Sequence, residues 1–229
     1  SVKNYGKWSE YISTLFNSEV IEWLQRFFGY ILTGSNSEQI FLVMLGLLGG
    51  EGKGVIKRLL KSVMGSYYVT INKALILENE RCSNAGAKSA KLENRRLAVI
   101  DEINHGAKLD SAQIKAYTGG DDLAIQAKYK DAQDISVKFK MILQTNALQF
   151  DGTDHALTRR MIILKFLKYF RTRNDVGFNS NDSNCIEITE DIEKVLQMER
   201  HLFFKFCVDG AVRWYNGGVN NLKENLPKY

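Results

Sequence analysis

Lys53 follows four glycines, Gly46, Gly49, Gly50 and Gly52, where an apolar run gives way to helical patterning. Glycine-rich backbone can turn N–H groups onto one anion, the start of a helix adds partial positive charge, and a lysine there can reach the outer phosphates of a nucleotide. The candidate nucleotide-binding residues are therefore Gly49, Gly50, Glu51, Gly52, Lys53, Gly54 and Val55. The second chemical signal is RLAVIDE, Arg96 to Glu102, an apolar strand ending on two carboxylates. Open parallel sheets bind ligands at the carboxyl ends of their strands. Downstream of a phosphate loop, Asp101 is suited to organise a magnesium shell and Glu102 to polarise an attacking water as general base. The plainer alternatives are a glycine-rich turn and a strand ending in solvated acids.

The loop departs from the usual P-loop pattern at two places. Leu47 occupies the position of the first glycine, with Gly46 one residue too early, so a reshaped loop is expected. Gly54 stands where a serine or threonine hydroxyl would touch magnesium, and Val55 cannot substitute. Metal must then be held by other groups, or held weakly.

These residues need a scaffold, and the hydrophobic pattern supplies one. Ile40 to Leu45 reads as a buried strand. Val55, Ile56, Leu59, Leu60, Val63 and Met64 recur at helical spacing, with Gly65 as the cap. Asn17 to Leu32 reads as an amphipathic helix that Gly34 ends, and Ser35 to Ser37 as a polar break. Tyr67 to Ile71 fits an edge strand, and Glu78 to Asn94 a helix with loops. Ala112 to Tyr117 reads as helix and Thr118 to Asp122 as a turn.

Leu123, Ile125 and Ala127 alternate, as do Val137, Phe139 and Met141, so a β-hairpin is expected. Its polar tip holds Tyr129 to Asp134, and Lys128, Lys138 and Lys140 flank it. Such a hairpin either grips a phosphate backbone or keeps lysines on edge strands against aggregation. Lys140 to Thr145 reads as a buried strand ending at Asn146, which either orients a water near a γ-phosphate or caps a turn. Met161 to Phe166 is a further strand, entered through Arg159 and Arg160. These two cations either neutralise a transferring phosphoryl group, including one on a neighbouring subunit, or are surface charges. Beyond it lie the basic residues Lys168, Arg171 and Arg173, a polar loop from Asn174 to Asn184, and helical patterning from Glu187 to Trp214.

At 229 residues and 45% hydrophobic, the chain can bury a sizeable core, and one large domain is the expectation. The expected boundaries are a helical preface over 1–37, a P-loop core with the basic β-hairpin over 38–170, and a loop and helical C-terminal segment over 171–229. The net charge of +5 is compatible with a polyanion partner without requiring one. Three widely spaced cysteines, Cys82, Cys185 and Cys207, suit a reducing, cytoplasmic compartment. His105, His155 and His201 lack ligand spacing. No run approaches the roughly 18 apolar residues of a membrane span, so no membrane role is expected. The first residue is Ser1 rather than methionine, so further protein upstream is expected.

Taken in order, GYILTG, GGEGKG, VIDE, YTGGDDLAIQAKYKD, LQTN and DHALTRRMIILKF resemble the superfamily 3 helicases, specifically the helicase part of phage and large-DNA-virus primase-helicases. The resemblance covers nearly the whole chain, including a tail with DGAVRWYNGG. It implies an α/β fold, a P-loop AAA+ core with a mainly parallel central sheet flanked by N- and C-terminal helical segments. It further implies a homo-hexameric ring on single-stranded or forked DNA, in the host cell of a virus or phage, with a possible primase domain upstream. ATP and magnesium would sit between subunits. Lys53, Asp101, Glu102 and Asn146 would match the phosphate-loop lysine, the acidic pair and the sensor, with Asp101 holding magnesium through water. Arg160 matches the family's arginine finger better than Arg159. Lys128, Tyr129 and Lys130 occupy the stretch that carries the DNA-contacting hairpin of the central channel, and 3′ to 5′ movement would follow.

The leading expectation is therefore an ATP-dependent DNA helicase domain of viral, phage or mobile-element replication. The alternative, motivated by Gly54, is a non-catalytic P-loop module for DNA binding or assembly. A small-molecule nucleotide kinase is disfavoured, since the sequence shows no obvious lid or acceptor pocket.

Overall fold

A computed structural model of the chain describes residues 4–78, 89–103, 107–125, 133–147, 154–218 and 221–226. These form two compact units. One comprises Ser1–Leu32, Gly46–Gly65 and Lys165–Tyr229, and the other Thr33–Leu45 and Ser66–Leu164.

The second unit is built on parallel strands. Its sheet contains β1 (Phe41–Gly46), β2 (Tyr68–Ile71), β3 (Leu97–Asp101), β6 (Lys140–Thr145) and β7 (Met161–Phe166), in the order β2-β3-β6-β1-β7. β2 pairs with β3, β3 with β6 and β6 with β1, all parallel. The fold is α/β with a mainly parallel five-stranded sheet. All six β6 residues are buried, as continuous apolar runs require when both faces of a strand are covered. Tyr68–Ile71 takes the edge position that its short β-branched run suggested. The core of this unit gathers Phe41, Val43, Ile100, Phe139, Met141 and Leu143, with Ile114 and Tyr117 of helix α4 (Ser111–Gly119).

β4 (Asp122–Ile125) and β5 (Gln133–Ser136) form a separate antiparallel pair, with Leu123 opposite Ile135. The first strand of this hairpin holds Leu123 and Ile125 as their alternation indicated, but the second is not the Val137–Met141 run. Gln133 and Asp134 belong to its second strand rather than its tip, Val137 and Phe139 lie outside any strand, and Met141 belongs to β6. Val137 and Phe139 are 4% and 1% exposed, so their apolar alternation reflects burial in the core, not cross-strand pairing. Lys128, Tyr129 and Lys130 lie outside the described residues.

Lys140 is also not a flanking surface charge. It is 2% exposed, and its ammonium donates to the Thr33 carbonyl at 2.5 Å and faces the Lys138 carbonyl at 3.4 Å. Burial, aided by the Arg96 charge, drives its pKa well below the ordinary lysine value. Lys138 remains exposed.

The first unit is helical around an aromatic core. Helices α1 (Lys7–Leu15) and α2 (Ser18–Leu32) precede the sheet in sequence, α3 (Lys53–Met64) follows the glycine loop, and α5 (Ile192–Met198) and α6 (Arg200–Gly217) follow β7. Trp8 meets Phe203 edge-on with centroids 4.6 Å apart, and Tyr30 meets Trp214 at 4.8 Å. Ahead of these C-terminal helices lies a pairing that the sequence pattern did not indicate, β9 (Cys185–Glu187) parallel to β8 (Tyr169–Arg171). Three-residue strands are too short to announce themselves by alternation. Among the described residues no helix is long and apolar enough to cross a membrane.

Candidate phosphate-binding site

The glycine loop lies within the first unit, between the end of β1 and the start of α3. Gly49, Gly50 and Gly52 take positive φ of 73°, 76° and 88°, whereas Leu47 does not, so a leucine costs nothing in backbone strain at the irregular position. Gly52 is the residue before α3, and a Cβ there would collide with the Tyr11 hydroxyl; one on Gly50 would strike the Arg171 guanidinium. Lys53, Gly54 and Val55 form the first turn of the helix.

The carbonyls of the loop are drawn outward by three neighbours in the same unit. Arg171 Nη2 donates to Gly49 O at 3.0 Å and to Leu48 O at 3.4 Å, the Phe170 N–H donates to Gly50 O at 3.0 Å, and Tyr11 Oη donates to Gly52 O at 3.1 Å. Tyr11 stacks on Phe170 with centroids 5.7 Å apart, and burial pushes its hydroxyl pKa up, keeping it a donor. With its carbonyls so engaged, the loop can offer N–H groups on its other side, as a nest for an anion requires.

On that side the donors converge on a carboxylate. The Leu48 and Gly49 N–H groups donate to Glu51 Oε1 at 2.6 and 2.8 Å, and Lys53 Nζ donates to Glu51 Oε2 at 3.1 Å and to Gly46 O at 3.2 Å. Glu51 is 2% exposed although ionisable. Burial pushes its pKa up, but the amide bonds, led by the one from Leu48, and Lys53 outweigh this and leave it below the usual value. The loop thus fits an anionic oxygen group. It does not fit a metal: Gly54 offers no oxygen, and the Arg58 guanidinium lies 3.1 Å from where a Cβ on Gly54 would stand. Among the described residues no cluster of three or more His, Cys, Asp or Glu side chains is set to hold one.

The acidic residues belong to the second unit. Asp101, the last residue of β3, sits opposite Gln144 of β6, and the Glu102 N–H donates to the Gln144 carbonyl at 2.9 Å. Glu102 has φ +37°, an uncommon conformation for a residue with a side chain and one found at functional sites. Its side chain is exposed, as is that of Asn146 just past β6. Asp101, Glu102 and Asn146 therefore share one edge of the sheet, the carboxyl ends of adjacent strands.

Arg159 and Arg160 lie at the opposite edge, since the Arg160 carbonyl accepts from the N–H of Phe41 at the start of β1. Their side chains differ in a way the sequence does not reveal. Arg159 is exposed, while Arg160 is 2% exposed and donates to Ala156 O at 2.8 Å. Tyr11, Phe170 and Arg171 were not identified as loop contacts from sequence. Arg171 was visible only as one member of a basic run, because its position depends on the pairing of β8 with β9.

The comparisons with known proteins agree with an α/β core. The chain is 30% identical over 141 residues to a protein of Acanthamoeba polyphaga mimivirus named "Putative helicase L207/L206", a match spanning 61% of this chain and 15% of that protein. It superposes on the NrS-1 C-terminal region with a TM-score of 0.57 at 16% identity, covering 83% of this chain and 40% of that one. A second structure, of NrS-1 residues 305–718, gives a TM-score of 0.52 at 14% identity, covering 84% and 42%. At such identities these structures show the shared fold alone. This chain spans less than half the length of each of these proteins. A family model described as "Family of unknown function (DUF5906)" matches residues 44–160, just over half of the chain, from the end of β1 to the entrance of β7, and the chain belongs to that family.

Proposed function

We propose that this chain is the ATP-hydrolysing part of a DNA helicase of the superfamily 3 type, acting in viral, phage or mobile-element replication. The observation that carries the proposal is the loop itself, in which two backbone N–H groups and Lys53 converge on one buried anionic group. Donors so arranged suit the β- and γ-phosphates of a nucleotide. The similarity to the mimivirus protein supports the choice of helicase over other nucleotide-binding activities.

In this reading Lys53 and the loop amides bind phosphate, and Glu102 polarises the attacking water. Asn146 orients that water. Because the loop itself offers no metal ligand, Asp101 is the residue that would hold a magnesium ion, through water, and the ion would supply charge neutralisation during phosphoryl transfer. The trans-acting cation of a hexamer is assigned to Arg159, because it is the exposed member of the pair. Lys128, Tyr129 and Lys130 are the proposed DNA contacts.

The test is magnesium-dependent ATP hydrolysis by the longest expressible form of the protein, with and without single-stranded DNA, beside Glu102→Gln. The expected result is DNA-stimulated turnover that the substitution removes. Assembled protein that binds ATP and DNA but never hydrolyses would instead establish the second reading, a binding and assembly module, which the hydroxyl-free Gly54 favours.

A further inference from the structure

This inference rests on the loop being a phosphate cradle. The donors that such a cradle would turn on a nucleotide already hold an anion that belongs to the chain. Both Leu48 and Gly49 give their N–H to Glu51 Oε1, and Lys53 gives an N–H to Oε2. The carboxylate thus occupies the donors that a bound phosphate would use. An amide N–H has one proton to give, so the same two amides cannot serve a carboxylate and a phosphate at full strength together. Two anions drawn to one lysine in a buried site also repel each other.

We propose that Glu51 is a resident counter-anion of the phosphate loop, which nucleotide must displace to bind and which promotes release by returning.

Several features make this an exchange rather than a rearrangement of the whole loop. The outward carbonyl bonds from Tyr11, Phe170 and Arg171 do not involve Glu51, so they can persist while its side chain swings out. They hold the amides in place for whichever anion is present. The carboxylate stays charged at neutral pH because its pKa lies below the usual value, so displacement by a competing anion, not protonation, clears the site there. Occupancy by its own side chain also gives the part-buried Leu48 and Gly49 amides an acceptor within the chain. The same contact that stabilises the loop therefore opposes the nucleotide.

The experiment measures ATP dissociation constants by calorimetry for the wild-type chain, Glu51→Gln, Glu51→Ala and Lys53→Ala, with circular dichroism to establish folding. Glu51→Gln keeps an acceptor for both amides but loses the charge, so it serves where Glu51→Ala disturbs the loop. The expected result is ATP binding tightened on the order of tenfold in both Glu51 variants, from loss of charge-assisted competition, and abolished in Lys53→Ala. Wild-type chain that binds ATP as tightly as, or more tightly than, folded Glu51→Gln would overturn the counter-anion role and leave the phosphate cradle standing. Absence of ATP binding in the wild type and in every folded variant would overturn both. Binding seen only in the Glu51 variants would support the exchange in its strongest form.

Discussion

Arg171 donates to the carbonyl oxygen of Gly49 at 3.0 Å, although 122 residues separate the two in sequence. The bond links strand β8 to the phosphate loop, and it is made by a side chain that local pattern marks only as basic. Its guanidinium also lies 5.2 Å from the Tyr169 ring centroid, which limits its freedom to leave.

Replacing Arg171 with methionine should keep the fold and loosen the loop. A hydrogen bond from a charged group contributes about 1.5–3 kcal/mol, so ATP affinity is expected to fall on the order of tenfold. Calorimetric titration of the folded variant checks this, and unchanged affinity would show that the loop holds its shape without Arg171.

Gly52→Ala should be more damaging than its size suggests. The residue has φ +88°, and the new methyl would meet the Tyr11 hydroxyl that bonds this residue's carbonyl. Backbone strain of this kind costs about 1–3 kcal/mol, with roughly 2–4 °C of melting temperature per kcal/mol for a chain of this length. Combining it with Tyr11→Phe should recover part of the loss by removing the clash. A thermal melt of the pair that shows no recovery counts against this contact.

The two arginines before β7 should separate cleanly. Arg159 is exposed, so Arg159→Ala should change stability by less than about 0.5 kcal/mol, yet lower ATP turnover in the assembled protein by at least 100-fold, on the order expected for a trans-acting arginine. Arg160 is buried against Ala156 O, so Arg160→Ala should lower the melting temperature instead. Mixing Arg159→Ala with Lys53→Ala subunits should restore some hydrolysis, since each supplies what the other lacks. No restoration would remove the trans assignment.

Lys140 gives a pH signature. Its pKa is depressed in the folded chain and ordinary, 10.5, when unfolded, so the unfolded state binds the extra proton between those values. Stability should therefore rise with pH across that interval, with the contribution complete above 10.5 and lost as pH falls through the folded value. Lys140→Met, similar in length and without charge, should flatten this part of the profile in chemical denaturation measured at several pH values. An unchanged slope would place the proton linkage elsewhere.

Much of this architecture is legible in one dimension. The apolar run before the glycines, the 3.6-residue period after Lys53 and the apolar RLAVI each map onto the element they suggested, β1, α3 and β3. Burial on both faces gives such strands an unbroken apolar sequence, and helices bury one stripe, so both patterns survive without knowledge of the partner. The hairpin was harder, because Val137 and Phe139 are apolar for the core and not for a cross-strand neighbour. Burial and pairing leave the same period in a short extended segment.

The sequence by itself determined the strands and helix that frame the loop, β1, α3 and β3, the positions where only glycine suits the loop, and the placement of Lys53 and Asp101 at the ends of their elements. These follow from local backbone sterics and hydrophobic periodicity. Tertiary structure decided which charges are buried and which are presented to solvent: Glu51 turned inward onto its own loop, Lys140 enclosed beside Thr33, Arg160 buried and Arg159 exposed. A charge's environment is set by residues distant in the chain, as Arg171 is from Gly49, and the energy that selects one orientation over another arises only when those residues meet.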